Sequence, residues 1–202
     1  MYYVLVILCA YLIGSSNMSY YVAKIKGVDI QTKGSKNLGA SNAMIVLGWK
    51  YGILVGIHDI GKSALAVFLA QLIFPNLPYI GAVAGVASVL GHIFPFYLKF
   101  KGGKGFASYI GMTLGLNWKL ALIICVIIIL ATLITDYIVI GTTLTITIVP
   151  TALGIMERNW ILPLILLIGT GGIIYKHRMN YVRIVKGTEI GLRSATRGEH
   201  RS

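Results

Sequence analysis

The stretch LALIICVIIILATLIT (120–135), a single Asp136, and then YIVIGTTLTITIVPTALGIM (137–156) decides what kind of molecule this is. Two uncharged runs of 16 and 20 residues, parted by one carboxylate, suit a bilayer, which an α-helix crosses with about 20 apolar residues. The same pattern extends outward: residues 1–23, 63–98, 105–118 and 159–175 also hold no Asp, Glu, Lys or Arg. Across 202 residues, 56% are hydrophobic and 12% charged, against roughly 25% charged in a soluble domain. An ordinary soluble enzyme is excluded, and the expected class is an all-α polytopic membrane protein.

The runs predict about seven transmembrane helices, near 2–23, 51–74, 79–98, 105–117, 120–135, 137–156 and 160–175. The fourth has thirteen residues, short for a crossing, so it either borrows from the preceding loop or serves as a half-helix. Nothing opens a linker, so 1–202 reads as one domain, with 193–202 (RSATRGEHRS) a flexible tail. The opening MYYVLVILCAYLIG has no basic flank, which predicts a retained first span rather than a cleaved signal. Cys9 and Cys125 lie in apolar runs more than a hundred residues apart and read as small packing residues, not a disulfide.

The formal charge of +12 is concentrated. Segments 24–36, 99–104 and 176–202 hold 14 of the 18 Lys and Arg residues. With the N-terminus outside and seven crossings, these segments follow spans one, three and seven and all face the cytoplasm, as the positive-inside rule requires. Lys119 and Arg158 fall outside and Asp136 inside, three small exceptions. Charge set between membrane segments, rather than on a soluble face, argues against a nucleic-acid partner; the partner it implies is the lipid bilayer.

The same three segments are rich in glycine and small polar residues. In GSKNLGASN (34–42), Gly34 lets the backbone turn its amides toward an anion, and Ser35, Lys36, Asn37 and Asn42 add hydroxyl, ammonium and amide groups. A flexible turn ahead of a helix accounts for this segment equally well. In GHIFPFYLKFKGGKG (91–105), Gly102, Gly103 and Gly105 bracket Lys104 before an apolar helix, an arrangement of amides and one ammonium suited to phosphate. Lys104 is followed by Gly105 rather than Ser or Thr, so this is no Walker A loop and no nucleotide is implied. Lys99 and Lys101 read as lysines snorkelling at the membrane boundary. His92 reads as a hydrogen-bonded packing residue. In HRMNYVRIVKGTE (177–189), His177 and Asn180 share a helical face, as do Asn180 and Arg183. With Arg178 they suit a phosphorylated substrate, and Glu189 is placed to pair with one of the arginines. Asp59 and Lys62, three apart inside the second apolar run, predict a buried ion pair.

Together, the three motifs resemble the bacterial membrane family of acyl-phosphate:glycerol-3-phosphate acyltransferases, whose cytoplasmic motifs read approximately GSGNxGxTN, GHxFPxFxxFKGGKG and HRxNxxRxxxGxE. The resemblance runs the length of the chain in order, including an Asp–Lys pair matched by Asp59 and Lys62. Lys36 replaces a usual glycine and Ser41 a threonine, and Gln31 stands where arginine is common. Of these, only Lys36 changes the charge within the motif itself, and it puts the backbone shape there in question.

The resemblance implies acyl transfer from an acyl-phosphate to the first hydroxyl of sn-glycerol 3-phosphate, giving 1-acyl-glycerol 3-phosphate and phosphate at the cytoplasmic side of a bacterial plasma membrane. It implies no cofactor, no metal and no obligatory protein partner. The residues suit that chemistry: a mixed-anhydride donor needs no covalent enzyme intermediate, and the sequence has no nucleophile elbow or active-site cysteine motif. The expected assignment gives Ser35, Lys104 and the GGKG amides to the donor phosphoryl group, and Lys36, Arg178 and Asn180 to the acceptor. His177 orients the hydroxyl or takes its proton, with the departing phosphate as the alternative base. Asp59, Lys62, His92 and Glu189 order the site. The three cytoplasmic turns are expected to close into one cationic pocket. A transporter for a phosphorylated metabolite would predict inverted repeats, and none is evident; a lipid-binding protein would leave the glycine-bracketed Lys104 unexplained.

Overall fold

The structure, a computed structural model, describes residues 1–191 and Arg193; apart from Arg193, the predicted tail lies outside the described residues. The chain forms two compact units, Met1–Asn117 and the part from Trp118 onward. The first contains α1 (Tyr2–Ser15), α2 (Met18–Ile25), α3 (Ala40–Leu47), α4 (Trp49–Ile73), α5 (Ile80–Ile93), a 3₁₀ turn (Phe96–Leu98) and α6 (Phe106–Leu116). The second contains α7 (Trp118–Thr135), α8 (Ile138–Met156) and α9 (Ile161–Val185).

Among the described residues, five helical segments are long and apolar enough to cross a membrane: Tyr2–Ile25, Trp49–Ile73, Ile80–Leu98, Trp118–Thr135 and Ile138–Met156. The most apolar, Trp118–Thr135, has the smallest buried share, and Leu122, Ile123, Val126, Ile129, Leu130 and Leu133 are exposed along it. That inversion of soluble packing fits a helix solvated by lipid. α6, at 11 residues, is too short by itself. α9 is 25 residues long, but its stretch from Lys176 to Val185 carries Lys176, His177, Arg178, Asn180 and Arg183.

The predicted first span is broken. Asn17 Oδ1 accepts the Tyr20 N–H at 2.9 Å and caps α2, so the helix restarts at Met18, with Ser16 and Asn17 between it and α1. Within the first unit, close helix crossings rest on missing side chains. A Cβ on Gly14 would strike the Ser88 backbone, and one on Gly91 the Tyr11 carbonyl, so α1 and α5 meet backbone to backbone. Ser63 and Ser88 join α4 to α5 through their hydroxyls at 2.8 Å.

The second unit handles polar groups in an apolar setting. Thr142, Thr143, Thr145, Thr147 and Thr151 on α8 each donate to the carbonyl one turn back. Pro150, inside α8, has no N–H for the Ile146 carbonyl. Thr170 of α9 supplies that hydrogen at 3.4 Å.

Candidate functional site

The first unit brings the first two motifs together. Gly34 has φ +57° and Lys36 φ +59°, which turns the loop back on the start of α3. Asn42, fully buried in α3, accepts the Ser35 N–H at 2.8 Å and donates to the Ile30 and Lys33 carbonyls at 3.2 Å each. Its amide is therefore occupied by the loop. In the structure Asn42 shapes the turn, and Gly34 lets it approach, since a Cβ there would meet Asn42 Oδ1. The Ser35, Lys36 and Asn37 side chains stand at the tip, Ser35 and Lys36 exposed and Asn37 half-buried.

The second motif folds onto His92. The Gly102 N–H donates to the Ile93 carbonyl and the Gly103 N–H to the His92 carbonyl, both at 3.1 Å. These two amides were expected to face an anion; they instead pin the loop, because the turn after α5 exposes those carbonyls to them. A Cβ on Gly103 would strike His92 Nε2 and lie 2.9 Å from the Leu38 carbonyl, so only glycine fits between the two motifs. Gln31 Nε2 adds a 3.3 Å bond to the Lys101 carbonyl. Gly105, at φ +89°, starts α6, and Lys104 beside it is half-buried.

Beneath this loop lies the predicted ion pair. Lys62 Nζ donates to Asp59 Oδ1 at 2.8 Å, His92 Nδ1 at 2.9 Å and the Ser16 carbonyl at 2.6 Å. An ammonium has three hydrogens and no acceptor, so His92 accepts through Nδ1 and carries its own proton on Nε2, against Gly103. His58 bridges Asp59 and the Ser16 hydroxyl, at 3.4 and 3.1 Å. Sequence reasoning missed Ser16 and His58. Ser16 takes part because the break before Asn17 leaves its carbonyl without a helical donor, a consequence of the cap at Asn17 that the apolar run concealed.

The third motif is assembled within the second unit. His177 and Asn180 are buried on one face of α9. The Ile173 carbonyl accepts from His177 Nδ1 at 3.1 Å, so neutral His177 has its lone pair on Nε2. Gly187, at φ +67°, ends the helix with its N–H on the Ile184 carbonyl, and the Thr188 N–H returns to the Arg183 carbonyl. That turn brings Glu189 back: Oε1 accepts from Asn180 Nδ2 and Oε2 from Arg183 Nε, each at 2.6 Å. Arg178 does not join them. One residue on from His177, about 100° around the helix, it is exposed. It stacks 4.2 Å from the Tyr175 ring centroid and donates to the Tyr175 carbonyl at 2.7 Å. In the structure its guanidinium forms a cation–π pair with Tyr175 on the outer face of α9.

The chain and its fold are similar to known proteins. The family model for glycerol-3-phosphate acyltransferase matches residues 4–187. Glycerol-3-phosphate acyltransferase 1 of Oceanobacillus iheyensis is 38% identical over 204 residues, covering 96% of this chain and 97% of that protein. The glycerol-3-phosphate acyltransferase of Clostridioides difficile is 36% identical over 192 residues, covering 93% and 94%. The crystal structure of PlsY (YgiH), an integral membrane glycerol 3-phosphate acyltransferase, in its glycerol 3-phosphate form has a TM-score of 0.90 at 30% identity, covering 97% of this chain and 98% of that one. Its lysophosphatidic acid form has a TM-score of 0.86, also at 30% identity, with 95% of each chain covered. The chain belongs to the glycerol-3-phosphate acyltransferase family of integral membrane proteins.

Proposed function

We propose that this protein transfers an acyl group from an acyl-phosphate to the 1-hydroxyl of sn-glycerol 3-phosphate at the cytoplasmic face of a bacterial plasma membrane. The observation that carries this reading is the 0.90 TM-score to a relative whose two forms hold the acceptor substrate and the acylated product. Seven crossings, with the N-terminus outside, would put all three cationic segments on the cytoplasmic side.

In the reaction, the acceptor hydroxyl oxygen attacks the donor's carbonyl carbon. The new ester C–O bond forms, the C–O bond to phosphate breaks, and the electron pair leaves with inorganic phosphate. His177 takes the hydroxyl proton on Nε2, the nitrogen that its Nδ1 bond to Ile173 leaves basic. Asn180, held by Glu189, orients the acceptor. Lys104 and the first amides of α6 stabilise charge developing on the donor, and the Ser35 hydroxyl hydrogen-bonds the same phosphoryl group. Lys36 and Asn37 at the loop tip take the acceptor's phosphate. Arg183 and Asn42 act through the groups they hold.

Donor exchange tests the reading. Purified protein given palmitoyl-phosphate and glycerol 3-phosphate should form lysophosphatidic acid without added metal or carrier protein, and palmitoyl-coenzyme A should not replace the donor. Efficient use of the thioester would overturn the assignment of the donor. His177→Ala should lower kcat by about 10²–10⁴-fold; near-normal activity would instead give the proton to the departing phosphate.

A further inference from the structure

The segment that carries Glu189 is held at both ends, and its far end has no part in the chemistry above. At the near end the Gly187 turn closes α9. At the far end the chain lies against the corner between α7 and α8. Asp136, with φ +69°, accepts the Arg193 N–H on Oδ1 at 2.8 Å, and its Oδ2 lies so close to Gly191 that a Cβ there would collide. The Arg193 guanidinium donates to the Leu133 carbonyl at 2.7 Å.

The corner is built to receive it. The last turn of a helix leaves carbonyls unsatisfied and carries partial negative charge. In α7 the Thr135 hydroxyl takes the Ala131 carbonyl at 2.6 Å, the Asp136 N–H takes Thr132 at 2.8 Å, and Arg193 takes Leu133. A lone carboxylate between two spans thus gains a partner that neither span provides. Aspartate also tolerates the left-handed backbone of such a corner better than most residues. Only a few residues separate this anchor from Glu189, and Glu189 fixes both Asn180 and Arg183. Gly191 and Arg193 lie beyond residue 187, where the family match ends.

We propose that Asp136 and Arg193 form a latch that positions Asn180 for acyl transfer by holding the Glu189 segment in place. Asp136 is a positioning residue and touches no substrate. The proposal rests on the acyl-transfer reading above, because Asn180 must act on the acceptor for its orientation to matter.

The test compares kcat and KM of the wild type with Asp136→Ala, Asp136→Asn, Glu189→Gln and the Asp136→Ala/Glu189→Gln double variant, in purified full-length protein. Asp136→Ala should lower kcat about tenfold, less than the roughly 10²-fold that a 1 Å misplacement can cost, because Glu189 itself remains to hold Asn180. Asp136→Asn keeps a carbonyl oxygen for the Arg193 N–H and should stay within about twofold of wild type. The double variant should be no slower than Glu189→Gln alone, because the latch acts through Glu189. Hydrogen exchange should quicken in residues 187–191 of Asp136→Ala and stay unchanged in α8. A wild-type kcat in Asp136→Ala, or a double variant slowed by the product of the two single effects, would overturn the latch. Failure of Asp136→Ala to fold would also count against it, and Arg193→Met then repeats the comparison with the carboxylate in place. If the wild type transfers no acyl group, the acyl-transfer reading fails, while the exchange measurement still reports whether Asp136 holds the segment.

Discussion

Lys62 lies within an apolar helix with an acceptor for each ammonium hydrogen: Asp59, His92 and the carbonyl that the break after Ser16 leaves open. Removing one charged partner strands the other, which typically costs about 3–5 kcal/mol. Lys62→Met should therefore destabilise the protein by roughly that amount in thermal unfolding in detergent. Lys62→Met/Asp59→Asn should be less destabilised than Lys62→Met alone, and an additive double variant would show that the two charges are not coupled. Lys36 presents the opposite case, a residue in a conformation that suits glycine. With φ +59° on an exposed turn, Lys36→Gly should leave stability unchanged or raise it by up to about 1 kcal/mol. Its KM for glycerol 3-phosphate should rise several-fold if the ammonium meets the acceptor's phosphate. The replacement of glycine by lysine was visible in the motif; that the turn keeps the glycine-like backbone was not, because side-chain identity does not fix φ. The separation of Arg178 from His177 is hidden for a similar reason: neighbours in a motif can face directions about 100° apart on a helix.

At the scale of elements, glycine and proline set the geometry. Gly103 fills the gap between His92 and the Leu38 carbonyl, so Gly103→Ala should displace the Lys104 loop and lower kcat about 10²-fold. Thermal unfolding should show the protein still folded; full activity would mean that the loop can yield without consequence. Thr170 compensates for Pro150, and Thr170→Val should cost about 0.6–1.7 kcal/mol, the range seen for hydrogen bonds between membrane helices. A change below about 0.3 kcal/mol would mean that the Ile146 carbonyl is satisfied in another way. The apolar runs located most of the helices, since hydropathy reports which surface lipid will accept. They missed the break at Ser16–Asn17, where a local side-chain cap overrides the hydrophobic pattern. They also gave no sign of the Asp136–Arg193 contact, which joins residues 57 apart in sequence.

For the molecule as a whole, the distribution of charge and the order of the motifs were legible in the sequence and led to the family. The allocation of polar groups was less so. Asn42, Gly102 and Gly103 spend their hydrogen bonds on the fold, and this emerges only when every backbone carbonyl has been given a donor. The substrate contacts proposed above are correspondingly fewer: Ser35, Lys36, Asn37, Lys104, His177 and Asn180. The central claim, that these groups transfer an acyl group by direct attack at the carbonyl carbon, is tested most directly with acyl-phosphate carrying ¹⁸O in the oxygen that bridges carbon and phosphorus. Attack at carbon predicts one phosphate released per lysophosphatidic acid formed, with all the label in the phosphate. Label retained on the acyl product, or phosphate released without lysophosphatidic acid, would contradict it.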